Sequence, residues 1–336
     1  MINFIRSTLH PLSFHAHDKR RPFFEGWYYK LVSASGAHRF AVIPGIFHGK
    51  DPSQDHAFIQ IMDGRWKEVY FNKYPLDTFN YVPYQFDFTI GESRFTENGF
   101  RLNFDHPEIH ARGEIRFGST VPYPVTLLSP GIMGWYAWIP RMQCYHGVVS
   151  MDHSLEGSLV LQGEKISFNN GRGYAEKDWG TSFPSAWIWT QCNHFSQPGI
   201  SLSASIAIIP WIRRAFPGFI VAFLYQGELY RFTTYTGAEV EDLVVTGRRI
   251  NWTVCNRTHR LEMSIQSGEV AAIHAPTLED MNGRVAESLD AAIHLRFSRI
   301  DTAKPRLLFE DSGSYAGLEV VGDIPRLLRM WITSGS

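Results

Sequence analysis

Glu176 and Asp178 stand two residues apart in the run Gly173-Tyr174-Ala175-Glu176-Lys177-Asp178-Trp179-Gly180. In an extended strand that spacing projects both carboxylates from one face, with Lys177 and Trp179 on the other. Paired carboxylates are the commonest arrangement for acid and base work, because each environment tunes the proton affinity of its group. The following run, Trp187-Ile188-Trp189-Thr190-Gln191-Cys192-Asn193, aligns two indoles with two carboxamides. A packed core has no need of Gln191 and Asn193 in line with Trp187 and Trp189. The wall of a mostly apolar ligand cavity does. For this block function outweighs packing.

Two other blocks carry chemistry-bearing residues. In Phe23-Phe24-Glu25-Gly26-Trp27-Tyr28-Tyr29-Lys30, the residues Glu25, Trp27 and Tyr29 share one strand face, and Phe24, Gly26, Tyr28 and Lys30 the other. A carboxylate among aromatics could be a buried acid with a raised pKa, but an ion pair beside core aromatics is the favoured reading. In Gly134-Trp135-Tyr136-Ala137-Trp138-Ile139-Pro140-Arg141-Met142-Gln143-Cys144-Tyr145-His146, Cys144 and His146 share a face if the segment is a strand. That pairing could be a nucleophile and its base; a small buried hydrophobe beside a hydrogen-bonded imidazole is the favoured reading. Cys144, His146, Cys192 and His194 have the composition of a zinc site, but the one-residue gaps do not match its usual spacings, so no metal is expected. Nucleotide-binding, zinc-protease, calcium-loop and α/β-hydrolase signatures are absent.

Short runs rich in Val, Ile, Thr, Phe, Tyr and Trp, separated by frequent turn residues, position these groups. Such spacing predicts an all-β chain, read as two consecutive antiparallel barrels, 1–182 and 183–336. Thr120–Pro130 carries three prolines and reads as an extended connection. Weak helical patterns occur at Leu278, Met281 and Val285 and at 323–329. Of the 336 residues, 14% are aromatic and only 19% charged, with a net charge of −1. That balance excludes disorder and argues against a nucleic-acid partner; it implies a large core or an aromatic-lined cavity. The most apolar stretch, Ile200–Ile212, is too short to span a bilayer and stops at Arg213 and Arg214. Three cysteines and no apolar leader lead to the expectation of a cytoplasmic protein.

Four segments together resemble the tocopherol cyclase family: FFEGWYYK at 23–30, GWYAWIPRMQCYHGVVS at 134–150, GYAEKDWGTSFPSAWIWTQCN at 173–193 and AGLEVVGD at 316–323. The resemblance covers nearly the whole chain; the chain lacks the plastid transit segment of the plant enzymes, which leads to the expectation of a bacterial member. The family is related to a carotenoid hydratase and Diels–Alderase group with two lipocalin-like β-barrels, so that fold is expected here. It further implies cofactor-free cyclisation: a prenylated hydroquinone is protonated on its alkene, and the phenol oxygen closes a chroman ring. This chemistry needs a carboxylic acid kept protonated by burial, a group that relieves the phenol of its proton, and aromatic faces against the cation. The expected acid is Asp178, with Glu176 as partner and Glu25 as outsider, and His146 is the expected base or orienter. Trp27, Tyr29, Trp135, Tyr136, Trp138, Trp179, Trp187 and Trp189 are candidate walls, and Gln191 and Asn193 could hold the quinol head.

The expected partner is an apolar small molecule, with peripheral membrane contact for its uptake and no nucleic acid. Two other classes compete. A carrier would bind a lipid, quinone or terpenoid unchanged. A carbohydrate-active protein would use tryptophan platforms in an open polar groove.

Overall fold

The computed structural model describes residues 2–15, 21–211 and 214–334. Asp18, Ile212 and Arg213 lie outside the described residues. The chain is all-β, and it divides into two compact units: Met1–Phe183 with Ala271–Val285, and Pro184–Val270 with Ala286–Ser336. A single cut at 182/183 cannot express the return of 271–285 to the first unit. There the Gln60 side chain pairs with the backbone of His274, donating to its carbonyl at 3.1 Å and accepting from its N–H at 3.0 Å.

In the first unit α1 (Ile2–Leu9) precedes β1 (Phe23–Val32), β2 (Arg39–His48), β3 (His56–Asp63), β4 (Glu68–Tyr74), β5 (Phe79–Tyr81) and β6 (Asp87–Ile90). There follow β7 (Ser93–Thr96), β8 (Gly99–His106), β9 (Ile109–Gly118), β10 (Cys144–Leu161), β11 (Glu164–Ser167) and β12 (Gly171–Gly180). The strands form one sheet in the order β4-β3-β2-β1-β12-β10-β9-β8-β7-β6-β5, with β11 on β10. Trp27 on β1 and Phe88 on β6 are six places apart along that order, which in a flat sheet is about 29 Å at roughly 4.8 Å per strand. Their rings are 4.1 Å apart. Only a sheet curled round its own core permits that, and one cluster of buried side chains drawn from every strand, β1–β12, fills the interior.

The second unit contains β13 (Ala186–Cys192), β14 (Ser201–Trp211), β15 (Arg214–Tyr225), β16 (Glu228–Thr233), β17 (Glu239–Thr246), β18 (Arg249–Cys255) and β19 (His259–Gln266). After β20 (Ala271–Ala275) come β21 (Gly283–Arg299), β22 (Arg306–Gly322) and α2 (Ile324–Ser334). The order is β16-β15-β14-β13-β22-β21-β19-β18-β17, with β20 pairing β21. Tyr230 on β16 meets His259 on β19 at 5.0 Å, so this sheet curls as well.

Helix is scarce. At α2 the Asp323 carboxylate accepts the N–H of Arg326 at 2.9 Å, and Pro325 takes a first-turn position that needs no donor. The helical spacing at Leu278, Met281 and Val285 does not make a helix. Thr277 and Asp280 close a turn on each other, and Val285 belongs to β21. Gly134–Trp138 is a short 3-10 turn, and the strand begins at Cys144.

Candidate functional site

The middle of the first sheet brings β1, β12 and β10 side by side. Gly26 lies opposite Asp178, and Asp178 opposite His146; one step along, Tyr28, Glu176 and Val148 are aligned. Pairing residues share a face, so Asp178, Glu176 and His146 converge on one side of the sheet. The triad exists because β10 and β12 are antiparallel neighbours and because Gly180 ends β12 in tight contact with β10. A Cβ there would come within 2.2 Å of the Gln143 carbonyl.

His146 Nδ1 and Asp178 Oδ1 are 2.9 Å apart, while Nε2, which makes no hydrogen bond, stands 3.7 Å from Glu176 Oε2. Tyr174, two residues before Glu176, donates its hydroxyl to Glu176 at 2.6 Å. Burial pushes the imidazole pKa down, but the Asp178 and Glu176 charges outweigh it and raise it to about 9. At neutral pH the imidazole therefore holds a proton between two carboxylates. Asp178, with a quarter of its side chain exposed against 13% for His146, is the more accessible end.

A row of small residues leads up to it. Gly45 on β2 faces Gly26 on β1, and Phe58 on β3 faces Gly45. The Phe58 ring lies over Gly45, where a Cβ would come within 2.4 Å of it. Over Gly26 a Cβ would meet nothing nearer than 3.8 Å, and Gly26 is partly accessible although its chain neighbours are buried. Opposite the carboxylate the neighbouring strand thus offers backbone and no side chain, with Phe58 and Tyr28 as the aromatic residues nearby on the same face. The sequence reading missed Gly26 and Phe58. A lone glycine inside an aromatic strand was the available signal, since it marks close approach by something else.

The other face is built differently. Strand alternation sends Glu25, Trp27, Tyr29, Lys177 and Trp179 away from Asp178, towards the interior of the first unit. Glu25 and Lys177, both fully buried, form an ion pair, and Lys177 also donates to the carbonyls of Pro11 and Ser13. Burial alone would raise Glu25, but Lys177 and His15 hold it below the usual carboxylate range. Burial brings Lys177 down to about 8, against the pull of Glu25. Glu25 is therefore the structural ion-pair residue, not a raised acid. Trp27 and Trp179 flank the ammonium at 4.9 and 4.8 Å, and Tyr29 packs among Phe86, Phe95 and Phe100. These rings are core, not walls beside the triad.

Cys144 is not paired with His146: burial and the Asp178 charge raise its thiol well above the ordinary value, and His146 is turned to the carboxylates. Trp135 and Tyr136 stack at 4.2 Å on the 3-10 turn, where Trp135 is exposed, and Trp138 donates its indole N–H to the Leu127 carbonyl. Trp187, Trp189, Gln191 and Asn193 are buried in the second unit. There Trp187 donates to Glu319, which faces both Trp189 and Glu287 across the sheet. The sequence reading also missed Glu287 and Glu319, which are far from that motif in the chain and meet only through register. As metal donors, His146, Glu176 and Asp178 present ligand atoms within 4.8 Å of one another; a cation there would have to displace the imidazolium proton.

A model of the tocopherol cyclase-like family matches residues 125–322, a span that includes the triad. The chain belongs to the tocopherol cyclase-like family. Among curated relatives of this cyclase-like protein, the chloroplastic tocopherol cyclase of Zea mays is 28% identical over 203 residues, covering 56% of this chain and 41% of the relative. The probable chloroplastic tocopherol cyclase of Oryza sativa subsp. japonica is 27% identical over 212 residues, 59% of this chain and 44% of the relative. The matched chain thus spans less than half the length of these plant proteins. Among solved structures, kievitone hydratase from Nectria haematococca is similar at a TM-score of 0.50 and 14% identity, covering 93% of each chain. CghA is similar at 0.52 and 10% identity, covering 90% of this chain and 89% of its own. These likenesses establish the lipocalin-like double-barrel fold.

Proposed function

We propose that this chain is a cyclase that closes a ring on a prenylated hydroquinone, or a related isoprenoid, by proton transfer through the His146–Asp178–Glu176 triad. The observation that carries the reading is a largely buried imidazole set between two carboxylates, the more accessible of which lies opposite the bare backbone of Gly26. His146 Nδ1 passes its proton to the Asp178 carboxyl as that carboxyl protonates the alkene, and the electron pair of the double bond forms the new C–H bond. The tertiary carbocation is then attacked by the phenol oxygen, which makes the C–O bond. The phenol proton leaves to the Asp178 carboxylate and passes from it to the vacated His146 Nδ1, while Nε2 keeps its own proton beside Glu176, so no proton is gained or lost. This differs from a lone carboxylic acid held protonated by burial: the imidazole stores the proton and the carboxylate transmits it.

The electrostatics favour this route. A positive charge moves from the imidazolium to the substrate, while both carboxylates stay in place. Two opposite charges about 4 Å apart attract by roughly 4 kcal/mol at the dielectric of a partly buried site, so the cation takes over an attraction already present. Phe58 and Tyr28 are the aromatic residues on that sheet face that could stabilise the same charge.

The test is turnover of a prenylated hydroquinone in deuterated water. The expected product is isomeric with the substrate and carries one non-exchangeable deuterium on the former alkene carbon. Asp178→Asn and His146→Gln should bind the substrate, read by tryptophan quenching, but turn it over at least about a hundredfold more slowly. Binding without any product would make the protein a carrier. A product without carbon-bound deuterium, or near-full activity in Asp178→Asn, would overturn the proton route.

A further inference from the structure

The first unit carries an exposed apolar surface that the triad does not use. Leu127 and Leu128, at 65% and 84% exposure, form the tip of a turn closed by Thr126 and Ser129. Trp138 ties that turn to the adjacent 3-10 turn through the Leu127 carbonyl and meets Phe4 of α1 edge-on at 6.2 Å. Phe4 and Ile5 of α1 and Trp135 of the 3-10 turn are exposed as well. Three elements distant in sequence are therefore joined through Trp138, and each carries exposed large apolar side chains. Isolated exposed hydrophobes need no explanation, but a joined patch does.

The charge pattern says what covers it. No Asp or Glu occurs from residue 115 to 151, nor anywhere before Asp18. The charged side chains that flank these apolar residues in the chain are cationic: Arg6, next to Phe4 and Ile5 and lying over the Tyr84 ring, and the exposed Arg141, three residues after Trp138. Against a second copy of the chain, a symmetric contact would set these cations against their own kind. Against an anionic lipid surface they are complementary. Exposed indoles beside leucines also suit the headgroup boundary, where a ring can bury its body and keep its N–H near polar groups.

We infer that the face formed by α1, the Leu127–Leu128 turn and the Trp135 turn docks on an anionic membrane surface, with the two leucines entering the acyl boundary. The inference does not depend on the cyclisation chemistry. It assigns where the protein would meet the phase in which an apolar quinol or terpenoid is dissolved.

Cosedimentation with extruded vesicles tests it without any turnover, so its failure and that of the cyclase reading are separable. The full chain is expected to bind vesicles of equal parts phosphatidylcholine and phosphatidylglycerol, to bind phosphatidylcholine alone more weakly, and to release with salt. L127S/L128S should lose about a hundredfold in partitioning, roughly tenfold for each leucine withdrawn from the acyl boundary. Both side chains are exposed, so its urea midpoint should match the parent. Trp66→Ser removes an equally exposed ring from the β3–β4 turn and should bind like the parent. Quenching of tryptophan emission by brominated lipid gives a second readout. A parent chain that ignores both vesicle types overturns the inference, as does undiminished binding by L127S/L128S. A parent dimer that L127S/L128S dissolves would assign the face to self-association instead.

Discussion

Replacing Asp178 by Asn isolates what the carboxylate does to His146. The amide keeps an acceptor near Nδ1 and removes the charge. In the parent the imidazole pKa is carried from 6.5 to about 9, which is roughly 3 kcal/mol of added proton affinity at about 1.4 kcal/mol per factor of ten. That is a net figure, since burial works against it. Asp178 at 2.9 Å is closer than Glu176 at 3.7 Å, so it supplies more than half of the upward pull. Removing its charge should then cost at least about 1.5 kcal/mol, more than a factor of ten, and bring His146 below about 8. Nitrogen-detected NMR of the imidazole, assigned with His146→Gln, reads the pKa directly. The sign in stability follows from a raised histidine. The folding contribution is complete below pH 6.5, fades above it and is gone once pH exceeds about 9. In Asp178→Asn that window closes earlier. Cyclisation should lose rate on the alkaline side near pH 9 in the parent as the imidazolium disappears. A parent His146 that titrates at or below 6.5, or an Asp178→Asn variant that still titrates near 9, would refute the triad as described.

Two further outcomes follow from the same face and its reverse. Gly26→Ala should leave urea stability within about 1 kcal/mol, because its Cβ finds ordinary van der Waals room; it should nevertheless weaken substrate binding at least about tenfold by covering the backbone opposite Asp178. If binding is undiminished, the substrate does not lie beside Asp178. Lys177→Met strands the buried Glu25 carboxylate and should cost about 3–5 kcal/mol in urea unfolding, with Glu25→Gln/Lys177→Met recovering most of that loss. The single change should also open residues 2–15 to protease, since Lys177 holds the carbonyls of Pro11 and Ser13. Equal stability in the single and double variants would contradict the buried pair.

By itself the sequence determined the periodicity. Alternation put Glu176 and Asp178 on one strand face and Lys177 and Trp179 on the other, and β-branched, aromatic runs broken by turns made the chain all-β. It also put Glu25, Trp27 and Tyr29 together, and they are together. What it could not carry was the side of the sheet that becomes core. Curling sent Glu25, Trp27, Tyr29 and Trp179 inward, so the most conspicuous aromatics near the acid pack the barrel and the smallest residue of that strand, Gly26, leaves bare backbone opposite it. Register did the rest. His146 reaches Asp178 because β10 pairs β12 across 32 residues, and Glu287 meets Glu319 in the same way in the second unit. Strand alternation repeats every two residues and is written locally. Which strands become neighbours depends on how a whole sheet closes over its apolar side, and only the folded chain decides that.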